Sequence, residues 1–430
     1  MDWRIAEPAH LLRALRLSLF EGGQFLVSRI APLGPILRER NLSYVHKASW
    51  GMYAAGVDHE TIARLLDWAL REALRENGDF YFPQEGPEYK DYQRLYRTLT
   101  MGIVAAQIDH AMIHVPRVLD RILQYQHSSG GVFHLIGDDP RHPELPPTIG
   151  TLNTSFFGHL MIGLDMRDRA MAVGQWVRRW VDANREAMAQ GRLYTQMTLD
   201  GRLVTEIQPN ERMGKLVDTQ RPKQEFWQVG TAMAYLVVLY DTMRTRWGSS
   251  AEEARPLLDA AMALLDFECT MPLDTYLWPS KCKVGWGAGE LLRVIVRHRL
   301  GNCPDFRVAC DDCADSPAAK MGPLLSEPPA ATGPSPCERA YRVAERVAMF
   351  TFMDNQLPGG GWSCMHYPLS DGIAEMAYSY KPLKDIVCVP PEPTALSGTI
   401  FLPSEEITGE FLSEMKAIEQ GVAAYVGKDE

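Results

Sequence analysis

The sequence predicts an all-α protein, an α/α barrel or toroid in which paired helices surround a central cavity. Two observations carry this. Apolar residues recur at three-four spacing through most of the chain, and Gly-rich, aromatic-tipped turns recur just ahead of helices. Alternating strand patterns are scarce. The pattern HETIARLLDWALREALRE (59–76) sets Ile62, Leu65, Leu66, Ala69, Leu70 and Leu74 on one face, and Asn77-Gly78-Asp79 stops it. The same grammar predicts helices near 98–125, 166–190, 225–247, 251–268 and 338–356. Segment 193–207 is the best hairpin candidate, with Asp200-Gly201 as its turn. After Ser404, a run of acids and apolar residues reads as a capped terminal helix.

A second rhythm places the helices relative to one another. TLNTSFFGHLMIGL (151–164), KQEFWQVGTAMAYL (223–236) and KVGWGAGELL (283–292) each pass from polar and aromatic residues into apolar helix rich in small residues. Small residues let helices approach closely. A ring of α-hairpins gives this pattern, its inner helices starting at one rim and the preceding loops lining the cavity. We read 1–430 as a single domain with one long irregular loop at 301–336, rich in Pro, Ala and Ser.

Composition narrows the function. Hydrophobic residues make up 46% and charged residues 23%, a globular balance. A net charge of −10 argues against a nucleic-acid surface, while leaving room for a small anion in a locally basic pocket. The N-terminal stretch carries charges inside its apolar run, so neither a signal peptide nor a membrane span is expected. Eight cysteines fit a reducing compartment, and a cytoplasmic protein is expected. Cys303, Cys310, Cys313 and Cys337 offer four sulfurs, but only Cys310 and Cys313 form a pair of zinc spacing, so loop thiols are the plainer reading.

No P-loop, GxSxG or HExxH motif occurs. Asp138 and Asp139 follow a Gly turn and are candidate Mg²⁺ ligands, or simply a solvated turn. The Asp311–Asp315 run copies a diphosphate-metal pattern, but in a Pro-rich stretch without a helix to align it, so it reads as a solvated loop. Arg221 and Lys223 gather positive charge ahead of a helix that begins near Glu225 and Trp227, a natural place for an anion or an ordinary basic cap. Lys281 and Lys283 lie between Trp278 and Trp286, which suits a diphosphate beside an apolar chain. Trp362, His366 and Tyr367 follow a triple glycine; His366, Tyr367 and Glu225 are the acid-base candidates, and Trp362 and Phe156 join the apolar wall. His110 and His114 are four apart, but apolar neighbours favour packing over a shared metal. His46, Lys47 and Trp50 continue the polar-aromatic style.

The phrases QYQHSSGGVFHLIGDDP, LNTSFFGHLMIGLDMR, KQEFWQVGTAMAYL, WPSKCKVGWGAGELL and MDNQLPGGGWSCMHYPL resemble the fungal non-canonical humulene synthase-like family of tropolone sesquiterpenoid pathways. The resemblance implies a class I-type sesquiterpene cyclase that converts farnesyl diphosphate to a macrocyclic hydrocarbon such as humulene by Mg²⁺-dependent ionisation. It transfers no catalytic residue, because the helical aspartate motifs of terpene cyclases have no match here. The expected partner is a small prenyl diphosphate, with a homodimer left open. Alternatives are a carbohydrate epimerase or lyase on an α/α barrel, and a non-catalytic carrier of a hydrophobic metabolite.

Overall fold

The computed structural model describes residues 7–31, 34–36, 42–85, 94–134, 147–207, 215–221, 224–300, 334–357, 359–362 and 404–427. Helices dominate them. In chain order these are α1 (Pro8–Ser28), α2 (Ser43–Ala54), α3 (His59–Glu72), α4 (Arg94–Gln107), α5 (Pro116–Leu123) and α6 (Thr151–Gly163). There follow α7 (Arg167–Ala189), α8 (Trp227–Thr245), α9 (Ala251–Cys269), α10 (Cys282–Arg297), α11 (Pro336–Arg346) and α12 (Glu405–Tyr425). Strands are two or three residues long and pair antiparallel in twos: β1 (Ile30–Ala31) with β2 (Gly34–Pro35), β3 (Thr148–Gly150) with β5 (Gln196–Thr198), and β4 (Arg192–Tyr194) with β6 (Leu216–Asp218).

Side-chain caps set several helix starts. Asp58 accepts from the Thr61 amide ahead of α3, Ser335 from Glu338 ahead of α11, and Ser404 from Ile407 ahead of α12. Ser250 and Glu253 form a reciprocal capping box on α9. Burial then sorts the helices into two kinds. α3 buries one stripe, Ile62, Leu65, Leu66 and Ala69, and leaves the opposite face to solvent. By contrast, α6, α8, α10 and α12 are buried nearly all round.

With α2 and α4, these helices form an inner set. α2 packs on α4, α4 on α6, α6 on α8, α8 on α10, α10 on α12, and α12 back on α2. Contacts match early residues to early residues and late to late. Tyr96 meets Phe156 while Gly102 lies against Leu160, and Thr151 bonds Gln228 while Gly158 lies against Tyr235. Gly230 lies against the Lys283 backbone while Asp241 pairs with Arg293, so these neighbours run parallel. The odd-numbered helices pack outside: α1 on α12 and α2, α3 on α2 and α4, α7 on α6 and α8, α11 on α10. Between α2 and α12 the approach is so close that a Cβ on Gly51 would stand 2.5 Å from the Gly409 Cα.

Three sequence expectations are corrected. The helix expected over 98–125 is broken into α4, a 3₁₀ turn at Ala111–His114, and α5. Asp109 adopts φ +51°, which ends the first piece, and Pro116 opens the second. The helix expected over 338–356 changes after Arg346 into a π-helical turn, Val347–Phe352. The hairpin near 193–207 shrinks to one bridge, Met197 to Leu203, around the Asp200-Gly201 turn, because β4 and β5 take other partners. His110 and His114 share no site: His110 caps the 3₁₀ turn and bonds Asp67, while His114 faces outward to Asp109. Among the described residues no helix is long and apolar enough to cross a membrane.

Candidate functional site

Aromatic side chains from five inner helices meet in one wall. Trp50 of α2 stands edge-on to Phe156 of α6 at 5.5 Å between ring centroids and to Trp286 of α10 at 5.2 Å. Tyr96 of α4 stands edge-on to Phe156 at 5.0 Å, and Phe156 lies 5.7 Å from Trp286. His159, one turn beyond Phe156, stacks on Trp286 at 4.8 Å and meets the edge of Tyr235 of α8 at 5.3 Å. Helical spacing explains part of this. Phe156 and His159 are three apart and so share a face, as do Trp286 and Cys282, four apart. Edge-to-face geometry is the favourable arrangement of such rings, and their π faces attract positive charge.

A cluster of charges abuts the wall. The Lys47 ammonium sits 5.5 Å over the Tyr96 ring and pairs with Glu410 at 2.6 Å and Glu406 at 3.2 Å. Lys283 pairs with the same Glu410 and with Glu414 at 3.2 Å. Glu406, Glu410 and Glu414 stand at four-residue intervals, so one face of α12 presents all three. Burial raises the Glu414 pKa against the opposing pull of Lys283, and Cys282 hydrogen-bonds this carboxyl. Burial also pushes the Cys282 thiol well up. For Lys47, burial works against the charge, but Tyr96 and Glu406 outweigh it and the pKa is raised.

Cys282, Glu410 and Glu414 bring one ligand atom each within 4.8 Å of one another. The set does not fit Mg²⁺. Mg²⁺ wants oxygen ligands, whereas here one donor is a protonated thiol and both carboxylates already meet lysine ammonium groups. Asp138 and Asp139 lie outside the described residues, as do Lys223, His366 and Tyr367.

The remaining sequence candidates scatter. Phe156 and Trp286 come together in the wall, and Lys283 lies beside it. Lys281 does not join Lys283. It is fully buried against Glu268 of α9, its ammonium 3.8 Å over the Phe226 ring, and burial pushes each partner of that pair toward its neutral form. Trp278 is buried ahead of a separate 3₁₀ turn, Pro279–Lys281, where its carbonyl accepts from the Lys281 amide. Trp362 packs between α1 and α12, against Gly22 and Phe411, with its indole N–H donating to the Phe352 carbonyl. Arg221 is exposed, and its carbonyl accepts from Gln224. Glu225 and Trp227 are half-buried at the start of α8. Tyr96 and the three glutamates of α12 escaped the sequence reading. The 406-410-414 spacing was the available signal for the glutamates; for Tyr96 there was none, since LYRTLTM looks like ordinary helix.

No known protein family matches the chain, and no curated protein matches it. Two solved structures of the type II terpene cyclase MstE from Scytonema are weakly similar to it. One is an apo tyrosine-to-phenylalanine variant, which covers 97% of this chain and 99% of its own at 12% identity and a TM-score of 0.46. The other is an arginine-to-alanine variant in complex with geranylgeranyl dihydroxybenzoate, with the same coverage and identity and a TM-score of 0.45. No residue correspondence follows from them.

Proposed function

We propose that this chain is a sesquiterpene cyclase that converts farnesyl diphosphate to a macrocyclic hydrocarbon such as humulene, on an α/α barrel. The observation that carries the proposal is the aromatic wall, with Trp50, Tyr96, Phe156 and Trp286 drawn from four inner helices. An allylic cation needs an apolar enclosure that folds the prenyl chain, keeps water away and offers π faces to the charge. The closed order of inner-helix contacts supports the barrel reading, and parallel inner helices turn their N-termini toward one rim. Helix N-termini favour anions, so that rim is the place for the diphosphate, with Arg221 and Lys223 ahead of α8.

In this reading the chain's own residues do three things. The rings hold the isoprenoid folded, with its far double bond near the allylic carbon. The rim groups take the departing diphosphate. Lys47, Lys283 and the α12 glutamates form a nearly balanced charged floor that keeps the inner helices in register. Magnesium belongs to the proposal with Asp138 and Asp139 as ligands; when bound, it neutralises charge on the leaving diphosphate.

The test is incubation of the purified protein with farnesyl diphosphate, with and without Mg²⁺, read by gas chromatography and by diphosphate release. Metal-dependent formation of a cyclic hydrocarbon supports the reading. Saturable binding of a prenyl compound without turnover favours the carrier alternative and ends this one.

A further inference from the structure

We propose that His159 is the base that ends the reaction, taking the proton whose loss turns the cyclised cation into a neutral hydrocarbon. The inference rests on the cyclase reading above and deepens it. His159 lies in the aromatic wall, stacked on Trp286 at 4.8 Å and edge-on to Tyr235 at 5.3 Å. The residue as a whole is half-buried, and its Nε2 is buried without a hydrogen-bond partner. A buried polar nitrogen is ordinarily paired, and leaving one unpaired in an apolar wall costs stability. The Tyr235 hydroxyl nearby is committed, donating to the Ala170 carbonyl at 2.6 Å.

Burial holds the imidazole neutral by lowering its pKa to about 3, so one ring nitrogen keeps its lone pair at cellular pH. Such a group is too weak a base to capture a proton from water there. A carbocation is a far stronger acid. The transfer also creates no new buried charge, since the positive charge moves from carbon to imidazole. A C–H bond next to the cationic carbon breaks, its electron pair becomes the new C=C bond, and the proton bonds to the ring lone pair. The imidazolium then gives the proton to solvent when the product leaves.

Two variants test this with farnesyl diphosphate. His159→Phe keeps an aromatic ring and removes the lone pair; His159→Gln is the polar alternative should the first fail to fold. Diphosphate release in the variants is expected within about threefold of the parent, because ionisation precedes proton loss. The product is expected to change from one major hydrocarbon to a mixture of double-bond isomers or a water-trapped alcohol. An unchanged product in either folded variant overturns the role of His159 and leaves the cyclase reading standing. Loss of diphosphate release in both variants also overturns it, because His159 would then act before proton loss. A parent protein that forms no hydrocarbon overturns the cyclase reading, and this role with it.

Discussion

Lys283 of α10 and Glu410 of α12 form a buried ion pair, and Glu410 also takes Lys47 of α2. One carboxylate thus ties α12 to α2 and α10, two of the helices that carry the wall. Replacing it with alanine leaves two buried ammonium groups to share Glu406 and Glu414. Breaking a buried pair from one side costs about 3–5 kcal/mol. Glu410→Ala is therefore expected to lose that much in urea unfolding, and Glu410→Gln less, because the amide oxygen still accepts. A loss under about 1 kcal/mol for the alanine variant would show that the cluster does not hold the helices together.

The α2–α12 approach gives a second expectation. A Cβ on Gly51 would meet the Gly409 Cα at 2.5 Å and its carbonyl oxygen at 2.7 Å, both backbone atoms that no side-chain rotation can move. Gly51→Ala should destabilise by about 1–3 kcal/mol, the usual cost of overpacking. Gly150→Ala is the control. Its φ is −106°, and the nearest atom to the new methyl is the Gln196 Cγ at 4.0 Å. That variant should unfold at the parent's midpoint, within error.

Stability should depend on pH through His46 and His159. Burial lowers both pKa values, to about 3 for His159, and Lys47 and Arg97 add to the effect on His46. In the unfolded chain both titrate near 6.5, so below that pH the unfolded state binds more protons and stability falls. The stabilisation is complete above about pH 6.5 and is lost progressively toward pH 3. Each histidine contributes up to about 1.4 kcal/mol per pH unit in that window. The raised Glu268 and Glu414 act in the opposite sense above the ordinary glutamate range. The clean measurement is therefore a difference: between pH 6.5 and 5, unfolding free energy should slope less in His159→Phe than in the parent. Equal slopes would mean that His159 is protonated in the folded protein.

Much of the fold was legible because helical periodicity is a local signal. The cap at Ser404 and the small-residue runs in α6, α8 and α10 could be read directly. The breaks at Asp109 and Arg346 could not, since a positive φ and a π turn are set by neighbours and not by the residue alone. The candidate site was half legible. Phe156 and Trp286 belong to aromatic-rich phrases, and the structure brings them together. Lys281 and Lys283 look equivalent in sequence, two apart. On a helical start two residues apart point some 200° apart, which sends Lys281 to Glu268 and Lys283 to Glu410. Likewise, Trp362 looked like a wall residue by composition, but the choice of α1 and α12 as its neighbours is tertiary.

Trp286 and Trp362 together separate the wall from the core. Trp286 touches Trp50, Phe156 and His159 at centroid distances of 5.2, 5.7 and 4.8 Å, so it is the hub of the proposed enclosure. Trp362 is fully buried, but lies between α1 and α12, away from those rings. Both substitutions to leucine remove a large buried ring and should cost stability of similar size, about 2–4 kcal/mol. Their effects on products should differ. A π face over a cation in a dry site is worth about 0.5–2 kcal/mol, so its loss slows steps through that cation by about 2- to 30-fold and opens competing ones. Trp286→Leu with farnesyl diphosphate should then give lower hydrocarbon yield and new products, while Trp362→Leu, assayed well below its unfolding temperature, should keep the parent's product ratio. If both variants alter the ratio alike, the effect is general loosening of the core. If only Trp362→Leu alters it, the reacting cation lies near α1, and the wall of Trp50, Tyr96, Phe156 and Trp286 is packing alone.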